Sequence, residues 1–160
     1  MSDSRKIKVT IGDLAVGSSP YVISTYGLGS CVAVMLYDPV TKIGGMNHFL
    51  LPTNTPNRVE KNLAKFSDTG IKMLIEKLMM LGAKEERIIA KLVGGANMFP
   101  MLNKSSIGQK NIEAALKILG KYSINIVSQD TGGNWGRSVD FDLSNGNVIV
   151  KSYKTGVKKI

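Results

Sequence analysis

The sequence predicts an α+β fold, a single domain over residues 1–160 with mixed or antiparallel β-sheet layers and two main helices. Three observations carry this. Short β-branched or alternating segments recur along the whole chain, whereas only two stretches have the three-to-four-residue apolar spacing of an amphipathic helix. No repeat, low-complexity tract or linker divides the chain. At 160 residues, 43% apolar and 21% charged, it is long enough and apolar enough to bury a real core.

Lys6–Ile11 alternates polar and apolar residues, the period of a half-buried strand. Tyr21–Thr25 is β-branched and reads as a second strand, followed by the turn-rich Gly27-Leu-Gly29-Ser30. Cys31–Tyr37 reads as a buried strand, Asp38–Thr41 as a turn with proline in its second position, and Lys42–Leu51 as the antiparallel return. Pro52–Arg58 has the composition of a surface loop. Ser67 or Asp68 can cap a helix running to Leu81 and stopped by Gly82, with Ile71, Leu74, Ile75, Leu78 and Met79 on its apolar face. Met73, Met79 and Met80 read as packing residues of that helix. Ile88–Val93 is a strand entering Gly94-Gly-Ala-Asn-Met-Phe99. Ser106 and Gln109 have capping-box spacing for a second helix that buries Ile112, Ala115, Leu116 and Leu119. Ile124–Val127 is a further strand, leading into the glycine loop Asp130–Arg137, where Trp135 and Arg137 are either surface recognition groups or structural ones. Val139–Leu143 and Val148–Tyr153 form a terminal hairpin around Ser144-Asn-Gly-Asn.

Charge and composition exclude several classes. The start, Met1–Lys6, lacks a signal peptide's apolar segment, and no uncharged apolar stretch approaches the ~20 residues that span a bilayer. The expectation is a cytoplasmic protein without direct membrane insertion. The net charge of +9 invites a nucleic-acid reading, but the lysines are dispersed and few of the 21 basic residues are arginine. Stacking aromatics do not alternate with them. No nucleic-acid partner is therefore expected, and the charge is either a solubilising surface or a complement to an acidic protein. Gly27-Leu-Gly29 and the two Gly-Gly pairs lack the residues that complete a dinucleotide or phosphate loop. Neither a metal nor a cofactor is expected.

One cysteine and one histidine leave a single nucleophile–base pair, Cys31 and His48. If Tyr37 faces Lys42 across the hairpin, the same ladder sets Cys31 opposite His48, and opposed residues share a face with Cβ atoms about 5 Å apart. An imidazole there can take the thiol proton and return it to a leaving group. Thr25, at the end of the preceding strand, offers a hydroxyl or carbonyl to orient the ring, and backbone N–H groups around Gly29, Ser30 and Cys31 can bind an oxyanion. Asp38 lies at the far end of the hairpin from His48. On residues alone, a core cysteine and a strand histidine stand beside this catalytic reading.

Thr25-Tyr-Gly-Leu-Gly-Ser-Cys31-Val-Ala-Val with Gly45-Met-Asn-His48-Phe-Leu-Leu-Pro52 resembles the CheD family of chemoreceptor glutamine deamidases. The likeness continues through Lys65–Asp68, Gly94–Phe99, Ile107-Gly108 with Asn111, and Asp130–Asn134 with Arg137-Ser138. It implies a CheD-like cysteine-hydrolase fold and a Cys–His–Thr triad at Cys31, His48 and Thr25. It also implies hydrolysis of receptor glutamine side chains to glutamate through a thioester, with possible action on glutamate methyl esters. Methyl-accepting chemotaxis receptors would be the substrates and a CheC-type phosphatase a further partner, for which Phe99 is the candidate contact. The alternative is a non-catalytic chemotaxis module that docks on receptor or phosphatase and regulates by occupancy.

Overall fold

The computed structural model describes residues 5–55, 60–102 and 106–160. The first four residues and the Pro56–Arg58 end of the expected surface loop lie outside the described residues. Among the described residues, ten strands and two long helices follow in order: β1 (Lys6–Lys8), β2 (Asp13–Ser18), β3 (Val22–Leu28), β4 (Val32–Asp38), β5 (Ile43–Phe49), α1 (Ser67–Leu81), β6 (Ile89–Gly94), α2 (Ile107–Lys121), β7 (Asn125–Thr131), β8 (Arg137–Asp142), β9 (Val148–Ser152) and β10 (Gly156–Lys159). They make two five-stranded sheets, ordered β1-β3-β8-β9-β10 and β2-β5-β4-β6-β7. Each is mixed, since β1 runs parallel to β3 and β7 parallel to β6. The α+β expectation holds.

Three layers result: the first sheet, the second sheet, and the helix pair. β4 and β5 are buried along their whole lengths, so CVAVMLY reads as a continuous apolar run rather than an alternating one. Val32, Val34 and Leu36 face the helices, together with Phe49, Leu74, Leu78, Ile112 and Leu119. Ala33, Met35 and Tyr37 face the first sheet, where they meet Ile23, Leu28, Val139 and Phe141. Each fully buried side chain of the Leu, Ile or Phe kind contributes about 1.5–3 kcal/mol, so a sheet packed on both faces is the stiffest part of the molecule.

Several boundaries depart from the sequence expectation. Helix α1 begins at Ser67 without a side-chain cap: Phe66 holds the N-cap position, and Ser67 and Asp68 bond to the Pro52 carbonyl and the Asn54 N–H instead. Its end is as expected, with Gly82 left-handed at φ 116° and its N–H on the Leu78 and Met79 carbonyls. Ser106 caps α2 through the Gln109 N–H, while the Gln109 side chain turns to Glu113 rather than closing the box. Met79, Met80 and Leu116 are exposed, because the second sheet covers a narrower stripe of each helix than the apolar pattern offers. Strands β2 and β10 were not anticipated. β2 carries Gly17, and β10 lies exposed at the sheet edge, so neither shows an alternating buried face.

Candidate active site

Thr25, Cys31 and His48 come together between the two sheets. Thr25 is the last residue of β3 to pair before a bulge, after which pairing with β8 resumes at Leu28 opposite Arg137. Gly27 occupies φ 69° within that irregularity. After Leu28 the chain leaves the first sheet and crosses through Gly29 and Ser30 to the second, where Cys31 immediately precedes β4.

The hairpin register differs from the expected one. Ala33, not Cys31, is paired with His48, and Asp38 pairs with Ile43, leaving Pro39–Lys42 as the connection with Lys42 at φ 57°. The ladder is thus displaced by two residues. A displacement of one would have sent the two side chains to opposite faces; two preserves the face and makes Cys31 and His48 diagonal neighbours. Asp38, at the other end, is fully buried and held by Arg87 through paired hydrogen bonds of 2.8–3.2 Å. It braces the hairpin and takes no part in orienting the imidazole.

The Thr25 hydroxyl donates to the Val9 carbonyl at 2.7 Å and contacts His48 Nδ1 at 2.7 Å. A hydroxyl has one proton, and it is committed to Val9, so Nδ1 carries the hydrogen and donates to Oγ1. The tautomer follows: His48 Nε2 has the lone pair. That atom is buried, and it has no hydrogen-bond partner among the described residues. Thr25, Cys31 and His48 are 0%, 7% and 2% exposed. Burial raises the thiol above its ordinary value, with its own backbone N–H opposing, and burial lowers His48 to about 4. The resting pair is therefore neutral thiol and neutral imidazole rather than thiolate and imidazolium.

Three successive carbonyls at and before Cys31 are each tied down. Gly29 O accepts from Ala96 N at 2.9 Å, Ser30 O from Asn111 Nδ2 at 2.9 Å, and Cys31 O from Gly95 N at 2.8 Å. The contact with β6 is close enough that a Cβ on Gly94, at φ 113°, would overlap the Cys31 carbonyl. On β5, Asn47 points the other way from His48 and donates to Asp13 O and Ala64 O, pinning the strand from its helical side. The Gly-Gly pair at 94–95 completes no phosphate loop; what it does here is let β6 approach Cys31 closely. A cavity of about 250 Å³ opens beside Ser30, lined also by Ala96, Met98, Phe99 and Ile107. Phe99 is 69% exposed, and Met101 and Leu102 beside it are more so. Arg137 is buried on Gly132 O and Asp130, and its guanidinium lies 4.9 Å from the half-buried Trp135 ring, which settles the choice for Arg137 as structural.

The family model described as CheD chemotactic sensory transduction matches residues 50–152. The chain belongs to the CheD family. Among curated CheD relatives, the probable chemoreceptor glutamine deamidase of Caldanaerobacter subterraneus subsp. tengcongensis is 42% identical over 99% of each chain. That of Pyrococcus abyssi is 48% identical over 92% of each, and that of Clostridium botulinum 43% over 99% of each. A crystal structure of the hypothetical protein YfiH of Bacillus licheniformis aligns with TM-score 0.49 at 14% identity, covering 74% of this chain and 50% of that one, too distant a likeness to bear on function. No helix among the described residues is long and apolar enough to cross a membrane.

Proposed function

We propose that this chain is a protein-glutamine deamidase acting on chemoreceptors, with Cys31 as nucleophile, His48 as general base and acid, and Thr25 as the group that orients His48. The observation that carries the reading is the Val9–Thr25–His48 hydrogen-bond chain, which leaves an unpaired Nε2 on the face shared with the only thiol. Membership of a family whose curated relatives are named chemoreceptor glutamine deamidases supplies the substrate class.

The neutral resting pair decides how the reaction starts. As Cys31 Sγ attacks the glutamine Cδ, His48 Nε2 takes the thiol proton, and the carbonyl oxygen becomes an oxyanion held by backbone N–H groups of the Gly29–Cys31 segment. The imidazolium then gives that proton to the amide nitrogen, ammonia leaves, and a γ-glutamyl thioester remains on Cys31. Water attacks the thioester while Nε2 takes its proton; the thiolate departs, recovers the proton, and glutamate is released. Throughout, Nδ1–H stays on the Thr25 hydroxyl. A neutral hydroxyl in that place, rather than a carboxylate, is what allows burial to keep the resting imidazole uncharged. A glutamate methyl ester presents the same carbonyl and differs only in its leaving group, so the site accommodates ester hydrolysis by the same steps.

The exposed Phe99, with Met98, Met101 and Leu102, is the docking point proposed for a protein partner, of which a CheC-type phosphatase is the family's example. Incubating a purified receptor cytoplasmic fragment with wild type should produce a one-dalton mass gain at individual glutamines and release ammonia. Cys31→Ala should do neither. Unchanged release by Cys31→Ala overturns the assignment. A silent enzyme whose Cys31→Ala variant still supports chemotaxis would favour the occupancy module.

A further inference from the structure

We infer that Asn111 of α2 is a positioning residue for the deamidation, setting the direction of the oxyanion-binding N–H at Cys31. This rests on the deamidase reading above.

Asn111 is fully buried, and its Nδ2 donates to two backbone carbonyls, Ser30 O at 2.9 Å and Leu50 O at 3.1 Å. With two carbonyls as partners, the amide orientation is assigned, because only the NH₂ end can donate. These acceptors flank different strands: Ser30 lies just before β4 and precedes the nucleophile, and Leu50 lies just after β5, two residues beyond His48. One side chain from the helix layer therefore fastens the nucleophile segment to the strand of the base.

A peptide unit is planar and trans, so its C=O and N–H point in opposite directions along one rigid plane. Fixing Ser30 O fixes the N–H of Cys31; fixing Gly29 O, on Ala96 N, fixes the N–H of Ser30. The Gly29 plane is held by backbone, but the Ser30 plane is held by a side chain alone. Residues Gly27, Leu28 and Gly29 leave this segment with little stiffness of its own. Asn111 supplies the missing constraint.

A second fact separates this from ordinary helix packing. Asn111 Oδ1 is buried with no partner among the described residues. A half-satisfied amide in the core costs stability relative to a leucine of similar volume, so the position is occupied for its donors and not for the fold. The close seating that brings it there is built in, since a Cβ on Gly108 would overlap Ala96 O and one on Gly95 would overlap Ile112.

The test compares wild type, Asn111→Ala and Asn111→Asp on a receptor cytoplasmic fragment. For Asn111→Ala the expected result is a kcat lower by about 10–100-fold with KM unchanged, somewhat less than the ~10²–10³ for deleting an oxyanion donor outright. Alkylation of Cys31 by iodoacetamide, which forms no oxyanion, should stay within about two-fold of wild type, while affinity for a glutamyl peptide aldehyde falls with kcat. In Asn111→Asp an ionised carboxylate faces two carbonyls, and only its protonated form can donate. Its residual activity should therefore rise as pH falls from about 8 to 6, a range over which wild type, with thiol and imidazole both neutral, stays level. Wild-type kcat in Asn111→Ala, or alkylation and kcat falling together, overturns the inference. If Asn111→Ala does not fold, an Asn111→Asp profile parallel to wild type overturns it as well. Absence of ammonia release by wild type overturns the deamidase reading itself.

Discussion

At the scale of residues, the site is set by which groups are kept uncharged. A buried thiol pushed upward and a histidine lowered to about 4 cannot form a standing ion pair at neutral pH. The iodoacetamide reaction of Cys31 should accordingly climb about tenfold per pH unit through pH 7–9, following the thiolate fraction. A flat, fast reaction from pH 5 to 8 would instead reveal a resting thiolate–imidazolium pair. The same histidine makes stability depend on acid. Its folded value lies below the ~6.5 of the unfolded chain, so the unfolded state binds the extra proton between those limits, and stability is lost as pH falls from about 6.5 toward 4. The loss amounts to about 3 kcal/mol at 1.36 kcal/mol per unit, and His48→Gln, which cannot protonate, should flatten that limb of a urea-midpoint titration. Thr25→Val leaves the Val9 carbonyl and the Nδ1–H unpaired; it should cost about 1–3 kcal/mol and slow kcat, with Thr25→Ser restoring much of both.

At the scale of elements, the chain's own pattern specified the hairpin that carries Cys31 and His48 but not its ladder. Proline in a tight-turn position suggested closure at Tyr37 and Lys42; the left-handed Lys42 and the buried Asp38 move closure to Asp38 and Ile43. Cys31 and His48 still share a face because side-chain faces repeat every two residues, and the displacement happens to be two. Helix stops at Gly82 and the Ser106 cap were visible as local chemistry, whereas β2 and β10 were not, since neither strand has an alternating face to display. Asn111 received no role from sequence, because a contact across 81 residues leaves no local trace. Helix α1 gives a test in which two effects compete. Gly70→Ala gains about 1 kcal/mol of helix propensity, yet the added methyl would overlap the buried Asn47 Oδ1 that sits next to His48. Overpacking costs about 1–3 kcal/mol, so a net loss of stability in thermal melts is expected, along with reduced activity; a higher Tm would show that α1 can back away from β5 freely.

At the scale of the whole molecule, the charge of +9 belongs to encounter rather than chemistry. If acidic receptor helices are the partner, raising salt from about 0.05 to 0.5 M should increase KM for a receptor fragment and leave kcat alone; a salt-independent KM would assign the lysines to solubility. Phe99→Ser should weaken partner binding and preserve the fold, because the ring is out in solvent. The layered plan also has a bearing on how such an enzyme can change. Strands β4 and β5 have no solvent face: one side packs helices, the other lies in the inter-sheet core with Cys31 and His48. A substitution on β4 or β5 therefore disturbs either the foundations or the reacting groups. The loops at 97–102 and 132–136 carry neither burden and flank the end of the molecule that holds Cys31. Retargeting this scaffold to a new protein substrate is thus a problem of redecorating two loops, and a mutational library confined to them should retain folded, reactive members far more often than one spread over the chain.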